Sequence, residues 1–252
     1  MAVYELATFP PNSLRSDYLE NLAEPQEWFL EELIQSSQTW TMPSVAYGVI
    51  SSQTLVEFFV AKKYSHQAPQ LFDTLRQQTN FNKVLAKSFD HQLMELAKIS
   101  GAVPTKTGYL FRNFSLPSIS ALVAVGLRQS TLGDLPEIWE MNDDFFDVFD
   151  EITHLDSTDN LWVLEKNGEI LGCGVTTRVI KVMDAVDLGM MISPKHRNQG
   201  YGSYLVSTLA KRVIASGLRP ICGCAEHNIA SRMTLQKAGF ISNHRLVSFN
   251  IM

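Results

Sequence analysis

Cysteine is scarce in this chain: Cys173, Cys222 and Cys224 are the only three in 252 residues. An odd trio cannot build a disulfide framework, so a reducing, cytoplasmic setting is expected. Long apolar runs are missing as well. The longest, Ala121 to Leu127, falls far short of the ~20 residues a membrane span needs. The stretch Met1 to Pro11 lacks the basic start and apolar core of a signal peptide. Positive charge is not in excess, because 21 Lys and Arg against 26 Asp and Glu leave a formal net charge of −5. That balance argues against a nucleic-acid partner, which calls for a basic stripe. No metal site is expected: the six histidines (His66, His91, His154, His196, His227, His244) show no ligand spacing. Cys222-x-Cys224 has no second ligand pair, and the two read as small core residues of a buried strand. No nucleophile-elbow string occurs. What is present is an ordinary soluble composition, 45% hydrophobic and 19% charged. A chain of this length buries roughly 70–75% of its unfolded surface, in one large domain or two small ones.

The chain reads as two unequal halves, residues 1–117 and 118–252. The seam is Arg112 to Gly126, where Asn113, Pro117 and three serines interrupt the periodicity. In the second half the run Ala121 to Leu127 reads as a first strand. A helix follows from Asp134 to about Asp150, with Leu135, Ile138, Trp139 and Met141 at helical spacing. Leu161 to Glu165 and Ile170 to Ile180 form strands joined through Asn167-Gly168, a hairpin signal. Ala185 to Ser193 is a further strand, and Ser203 to Ser216 an amphipathic helix ended by Gly217. Pro220 to Ala225 is a short buried strand, Ile229 to Ala238 a helix stopped by Gly239, and Arg245 to Ile251 a last strand. The pattern predicts an α/β fold with a mixed, mostly antiparallel central sheet flanked by helices.

The first half has helical stretches at Gln26 to Gln35 and Ala68 to Gln78, and strands at Ser44 to Ile50 and Thr54 to Ala61. Tyr4, Tyr18 and the Trp28-Phe29 pair read as its core. From Asn82 to Phe111 come a strand, a helix (His91 to Ile99), Ser100-Gly101 and a strand. That order recurs 138 residues later, where Ala238-Gly239 stands opposite Ser100-Gly101. A degenerate internal repeat and an unrelated accessory domain both remain open for this half.

Ala185 to Gly217 carries the chemistry: strand, short turn, glycine-rich loop, helix. Arg197-Asn198-Gln199-Gly200-Tyr201-Gly202 fits R-x-x-G-x-G. The glycines let backbone amides approach a ligand, and the loop opens onto a helix N-terminus. There the unpaired N–H groups and the positive dipole end favour a phosphate. No Lys-Ser or Lys-Thr follows, so the loop is not a Walker A loop. It also lacks the third glycine and the later acid of a dinucleotide fingerprint. A diphosphate cradle of another kind, or a plain tight turn, is what the residues alone support.

With Ile192-Ser193-Pro194 ahead of that loop, and with Asn228-x-x-Ser231, Lys237, Gly239 and Phe240 beyond it, residues 126–252 resemble the GNAT superfamily of acyl-CoA-dependent N-acyltransferases. The first half carries no such motif, and tandem members with a degenerate first half are known in that superfamily. The resemblance implies that Arg197, Asn198, Gln199, Gly200, Tyr201, Gly202 and Ser203 hold the CoA pyrophosphate. The strand ending Met190-Met191-Ile192 pairs with the pantetheine arm, with an amide near Met191 or Ile192 as oxyanion donor. That strand splays from Pro220 to Ala225, and Asn228 and Ser231 flank the pantetheine and the sulfur end. Met190 and Met191 read equally as core and as lining for the acyl group. Many relatives carry a tyrosine acid seven residues after the signature asparagine, and Leu235 stands there in this chain.

An amine with pKa near 10 is more than 99% protonated at pH 7, so a base is needed. Asp187, Glu226 and His227 are the candidates, with strand-end polar groups satisfied by backbone or water as the plain alternative. Between Arg128 and Lys166 there is no Lys or Arg, yet Asp134, Glu137, Glu140, Asp143, Asp144, Asp147, Asp150, Glu151, Asp156 and Asp159 stand there. Phe145, Phe146 and Phe149 interleave with the middle ones. Such a wall suits a cationic acceptor, and a solvated acidic helix face explains it equally. The expected function is transfer of an acyl group, acetyl by default, from acetyl-CoA or a longer acyl-CoA to a primary amine by direct attack in a ternary complex. The acceptor is a small polyamine-like molecule or a basic peptide side chain, and the chain acts as a monomer or homodimer. Two alternatives stay open. One is a long-chain acyl-CoA transferase acting on a lysine or ornithine side chain of a peptide. The other is a CoA-binding sensor without turnover.

Overall fold

The computed structural model describes residues 3–117, 122–180 and 183–251. It divides the chain into two compact units, Met1–Leu110 with His244–Met252, and Phe111–Asn243. The expected boundary at 117/118 and the start of the strand expected at Ala121 adjoin or fall within residues 118–121, outside the described residues.

The first unit runs β1 (Glu5–Ala7), α1 (Asn12–Asn21), α2 (Trp28–Gln35), β2 (Gln38–Met42), β3 (Ala46–Ser51), β4 (Thr54–Val60), a 3-10 turn (Lys62–Gln67), α3 (Ala68–Thr79), β5 (Lys83–Lys87), α4 (His91–Ile99) and β6 (Val103–Phe111). The second contains β7 (Asn113–Phe114), β8 (Val125–Gln129), α5 (Leu135–Glu140), α6 (Phe149–Ser157), β9 (Leu161–Lys166), β10 (Glu169–Arg178), β11 (Ala185–Ile192), α7 (Tyr201–Ala215), β12 (Arg219–Ala225), α8 (Ile229–Lys237) and β13 (Phe240–Ile241). The last strand, β14 (His244–Asn250), returns to the first unit.

Strand order in the first unit is β1-β2-β3-β4-β5-β14-β6. All its described pairings are antiparallel except β4 with β5. β14 therefore completes that sheet, pairing Val247 with Ala86 on one side and with Thr107 on the other. In the second unit the order is β12-β11-β10-β9-β8, antiparallel except for β11 with β12. β7 and β13 form a separate two-stranded ribbon. The expected mixed, mostly antiparallel sheet is thus present twice, each copy with one parallel pair.

Local chemistry accounts for the element ends. The Asp90 carboxylate accepts from Leu93 N at 3.1 Å and caps α4, while Asn228 does the same for α8 toward Ser231 N at 2.9 Å. These are the usual short polar caps. α4 and α8 are followed by Gly101 and Gly239, both at positive φ (75° and 106°). That left-handed residue is the common way to leave a helix, and it explains why the 138-residue repeat is visible in sequence.

Two expectations need correction. The helix expected from Asp134 to Asp150 is two helices, α5 and α6, because the Asn142 side chain folds the segment between them into a turn. Its Oδ1 accepts from Phe145 N and Phe146 N at 3.0 Å each, and its Nδ2 donates to Phe146 O at 2.8 Å. Phe29 is 46% exposed, although Tyr4 and Tyr18 are core at 2%. β1, α1 and β2 carry too few periodic apolar residues to have been read from sequence.

Candidate active site

The site is built where β11 and β12 part. β11 is laddered to β10 from Val186↔Arg178 to Ile192↔Gly172. Its parallel ladder to β12 has only three rungs: Ala185↔Arg219, Val186↔Pro220 and Asp187↔Ile221. Beyond Asp187 the two strands diverge, and the backbone groups of Leu188, Met190 and Ile192 that point away from β10 have no strand partner on that side among the described residues. A backbone edge of this kind is a template for an extended, amide-bearing ligand. The fork opens into a cleft of about 980 Å³ walled by Leu188, Gly189, Met190, Met191 and Ile192 on one side and Gly223, Cys224 and the start of α8 on the other.

At its far end the cleft meets the N-terminus of α7. Asn198 and Gly200 both take positive φ, 62° and 85°, and a Cβ on Gly200 would meet nothing within 4 Å. Gly200 offers no side-chain cap, and the first intrahelical bond runs from Tyr204 N to Gly200 O at 3.1 Å. The N–H groups of the first turn therefore face the cleft with no helical acceptor, a ready anion site. Gly202 is needed for packing: a Cβ there would lie 3.0 Å from Thr234 Cγ2 and 3.5 Å from both Ile192 Cγ1 and Met190 Sδ. Ser203 Oγ ties the same turn to Thr234 O at 3.2 Å. A diphosphate at the helix end and an extended arm along β11 fit these residues, which is what coenzyme A requires.

Nearly all the expected binding residues converge here. Met191, Ile192, Arg197, Asn198, Gly200, Tyr201, Gly202, Ser203, Asn228 and Ser231 line the cleft, whereas Gln199 sits in the turn but not on the wall. Arg197 is already engaged: its Nε donates to Ile192 O at 3.1 Å and its Nη2 to Asp143 Oδ2 at 2.7 Å. Leu235, at the usual tyrosine position, is buried on the cleft wall. The three candidate bases lie off that wall. Asp187 is the last paired residue before the fork, on the strand face it shares with Gly189 and Met191. Glu226 and His227 are exposed in the turn after β12.

The acidic segment divides by role. Asp134 is a structural group, gripped by Arg128 at 2.8 Å through both oxygens and by Thr131. The Arg128 hydrogen bonds, aided by Thr131, hold its carboxyl down at about 2. Asp156 accepts from Ser130 at 2.5 Å. Asp143 and Asp144 reach the cleft with Phe145, and Glu137, Glu140 and Asp143 line an adjoining hollow of about 400 Å³ beside Lys195. Cys222 is core at 0% exposure, but Cys224 is half-buried and lines the cleft, which corrects its reading as core. Sequence reasoning missed Gly189 and the Asn142 turn. The string Asn142-Asp143-Asp144 is itself a turn signal that could have exposed the break.

The first unit has the same fork and fills it. The β4–β5 ladder has two rungs, Thr54↔Lys83 and Leu55↔Val84. Past them a hydrogen-bonded chain crosses from Glu57 on β4 to Lys87 on β5. Arg15 donates to Glu57 at 3.2 Å and to both oxygens of Glu31 at 2.9 and 2.7 Å; Gln26 joins Glu31 to Lys87, whose Nζ lies 2.7 Å from Gln26 Oε1. Tyr47 OH donates to Glu57 at 2.6 Å, and Lys87 also donates to Tyr18 OH, which donates to Asp90. Burial works against the Arg15 charge, yet Glu57 and Glu31 outweigh it and hold its pKa above the ordinary value. No glycine loop precedes α3; a 3-10 turn and Pro69 stand there instead, and proline removes one of the free N–H groups.

A forked parallel pair leading to an uncapped helix N-terminus defines an α/β fold with a cleft for an extended ligand that carries an anionic end. The chain belongs to the GNAT acetyltransferases: a model described as "Acetyltransferase (GNAT) domain" matches residues 11–114, and one described as "Acetyltransferase (GNAT) family" matches residues 125–240. It is therefore a tandem of two GNAT domains and an acetyltransferase by family. Among solved structures, a GNAT-family acetyltransferase from Colwellia psychrerythraea is similar at TM-score 0.87 and 16% identity, covering 98% of this chain and 100% of that one. A GCN5-related N-acetyltransferase from Sphaerobacter thermophilus is similar at TM-score 0.63 and 13% identity, covering 98% and 94%. These likenesses concern the fold. No curated protein matches the chain. Among the described residues no helix is long and apolar enough to cross a membrane, and no group of three or more His, Cys, Asp or Glu could hold a metal ion.

Proposed function

We propose that the second unit moves an acetyl group from acetyl-CoA to a cationic primary amine, and that the first unit takes no CoA. The observation that carries this reading is the asymmetry of the two forks. One opens into a cleft ending at an uncapped helix N-terminus, and the other is crossed by buried side chains. In the second unit the amides of residues 199–203 hold the diphosphate, and the free edge of β11 pairs with the pantetheine arm. The Met190 amide, which points to that free edge while the Met191 amide is turned into the β10 ladder opposite Cys173, faces the thioester oxygen, where a fixed donor stabilises the charge that develops in the tetrahedral intermediate. Asp187, at the fork, removes the proton from the attacking ammonium through a water. The CoA thiolate, a fair leaving group, departs without a tyrosine acid.

Asp144 supports a cationic acceptor. It is exposed on the cleft rim, and no hydrogen bond or ion pair engages its carboxylate among the described residues. Thiol release from acetyl-CoA with a panel of polyamines and basic peptides tests the proposal, with mass spectrometry identifying the product. Turnover with a polyamine or basic side chain, abolished by Gly202→Val and slowed by Asp187→Asn, is the expected result. CoA binding without release from any acceptor would overturn the transferase reading. A binding stoichiometry of two CoA per chain would overturn the assignment of the first unit.

A further inference from the structure

We infer that Phe145 sets the length of the acyl group, acting as a fixed stop that admits acetyl and excludes longer chains. The inference rests on the placement of CoA proposed above. With the diphosphate at α7 and the arm on the edge of β11, the thioester carbonyl faces the edge amide of Met190 and the acyl carbons continue toward the fork. The next residue toward the fork is Gly189, roughly 3 Å along. It has no side chain, and the space is taken by Phe145. A Cβ on Gly189 would lie 3.0 Å from Phe145 Cζ and 3.6 Å from Cε2.

The ring cannot retreat. Behind it, Phe146 packs edge-on at 4.7 Å between centroids, and the cluster of Leu135, Ile138, Ile152, Cys173 and Met191 closes the rest. Nor does the backbone let it swing. The three Asn142 hydrogen bonds described above pin both Phe145 and Phe146, and Asp144 holds the turn at φ 56°. An acetyl methyl stops short of the ring. A chain of about six carbons runs into it, and a close-packed wall cannot absorb the added methylenes.

The test measures dissociation constants for acetyl-CoA, butyryl-CoA and hexanoyl-CoA by calorimetry, so that no acceptor need be known. Wild-type protein is expected to bind hexanoyl-CoA at least ~10-fold more weakly than acetyl-CoA, the scale on which methylenes are discriminated in an apolar pocket. Phe145→Ala brings the two within about twofold, while Phe145→Leu, the milder variant should alanine disturb folding, gives an intermediate ratio. Gly189→Ala, which crowds the ring from the other side, weakens butyryl-CoA before acetyl-CoA. Equal wild-type affinity for hexanoyl-CoA and acetyl-CoA overturns the inference. So does a ratio unmoved in both Phe145 variants, and in either case the CoA assignment survives. Failure of CoA itself to bind overturns the proposed function and the inference with it.

Discussion

Replacing Arg15 by methionine keeps most of the side-chain length and removes the one cation that touches both Glu31 and Glu57. Glu57 is 0% exposed and Glu31 4%, so neither carboxylate regains water when the guanidinium is lost. Glu31 loses bonds of 2.7 and 2.9 Å and Glu57 one of 3.2 Å. Breaking a buried pair from one side costs about 3–5 kcal/mol, because the remaining charge stays desolvated. For a unit of this size that is a fall in Tm of roughly 12–20 °C. Urea unfolding reads the loss, followed by Trp28 and Trp40 fluorescence in a background where Trp139 and Trp162 are phenylalanine. Adding Glu31→Gln and Glu57→Gln removes the stranded charges but keeps acceptors for Gln26 and Tyr47, so the triple variant is expected to recover most of the loss. Affinity for CoA, measured below the transition, should be unchanged, since the cleft is walled by residues 143–237. A loss under about 1 kcal/mol, or a triple variant no more stable than the single one, would refute the picture of a desolvated charge network filling the first fork.

Gly202→Val is expected to weaken CoA binding at least ~10-fold, and Gly200→Ala should cost only about 1–2 kcal/mol of backbone strain, since one position is crowded and the other open; calorimetry and thermal melts separate the two effects. Cys224 should be the first thiol alkylated at neutral pH, with CoA protecting it, whereas Cys173, whose thiol burial pushes up to about 12, stays unmodified; peptide mapping by mass spectrometry checks this. Asp134 should titrate at about 2 by carboxyl NMR. Its folded value lies below the unfolded 3.8, so its contribution to stability is present above pH 3.8 and is lost as the pH falls toward 2; Arg128→Met should move the titration up.

Much of the second unit was legible because its elements are strongly marked. Asn167-Gly168 fixes a hairpin, the apolar stripe of α7 fixes a helix, and R-x-x-G-x-G fixes the loop at its start. The fork was expected only through the family resemblance, because a ladder that stops after three rungs leaves no mark in a run such as Val186 to Ile192. The Asn142 turn was hidden by helical spacing on either side of it. The first fork was illegible for a different reason. Arg15, Gln26, Glu31, Glu57 and Lys87 read as surface residues until the fold buries them together, and charged residues are seldom buried unless paired. Nor could sequence show that Gly189 is vacant for a ring 44 positions earlier in the chain.

The return of β14 to the first unit has a consequence for how the protein is made. β14 lies between β5 and β6 in the sheet but leaves the ribosome after the entire second unit. The second unit is one continuous stretch, so it can close on its own while synthesis proceeds. The first unit must wait, with two strand edges open to chaperones or to misassociation, until the last strand arrives. A message broken before the codon for His244 would thus yield chains with a closed second unit and a first unit whose sheet stays split, a defect that cellular quality control can recognise.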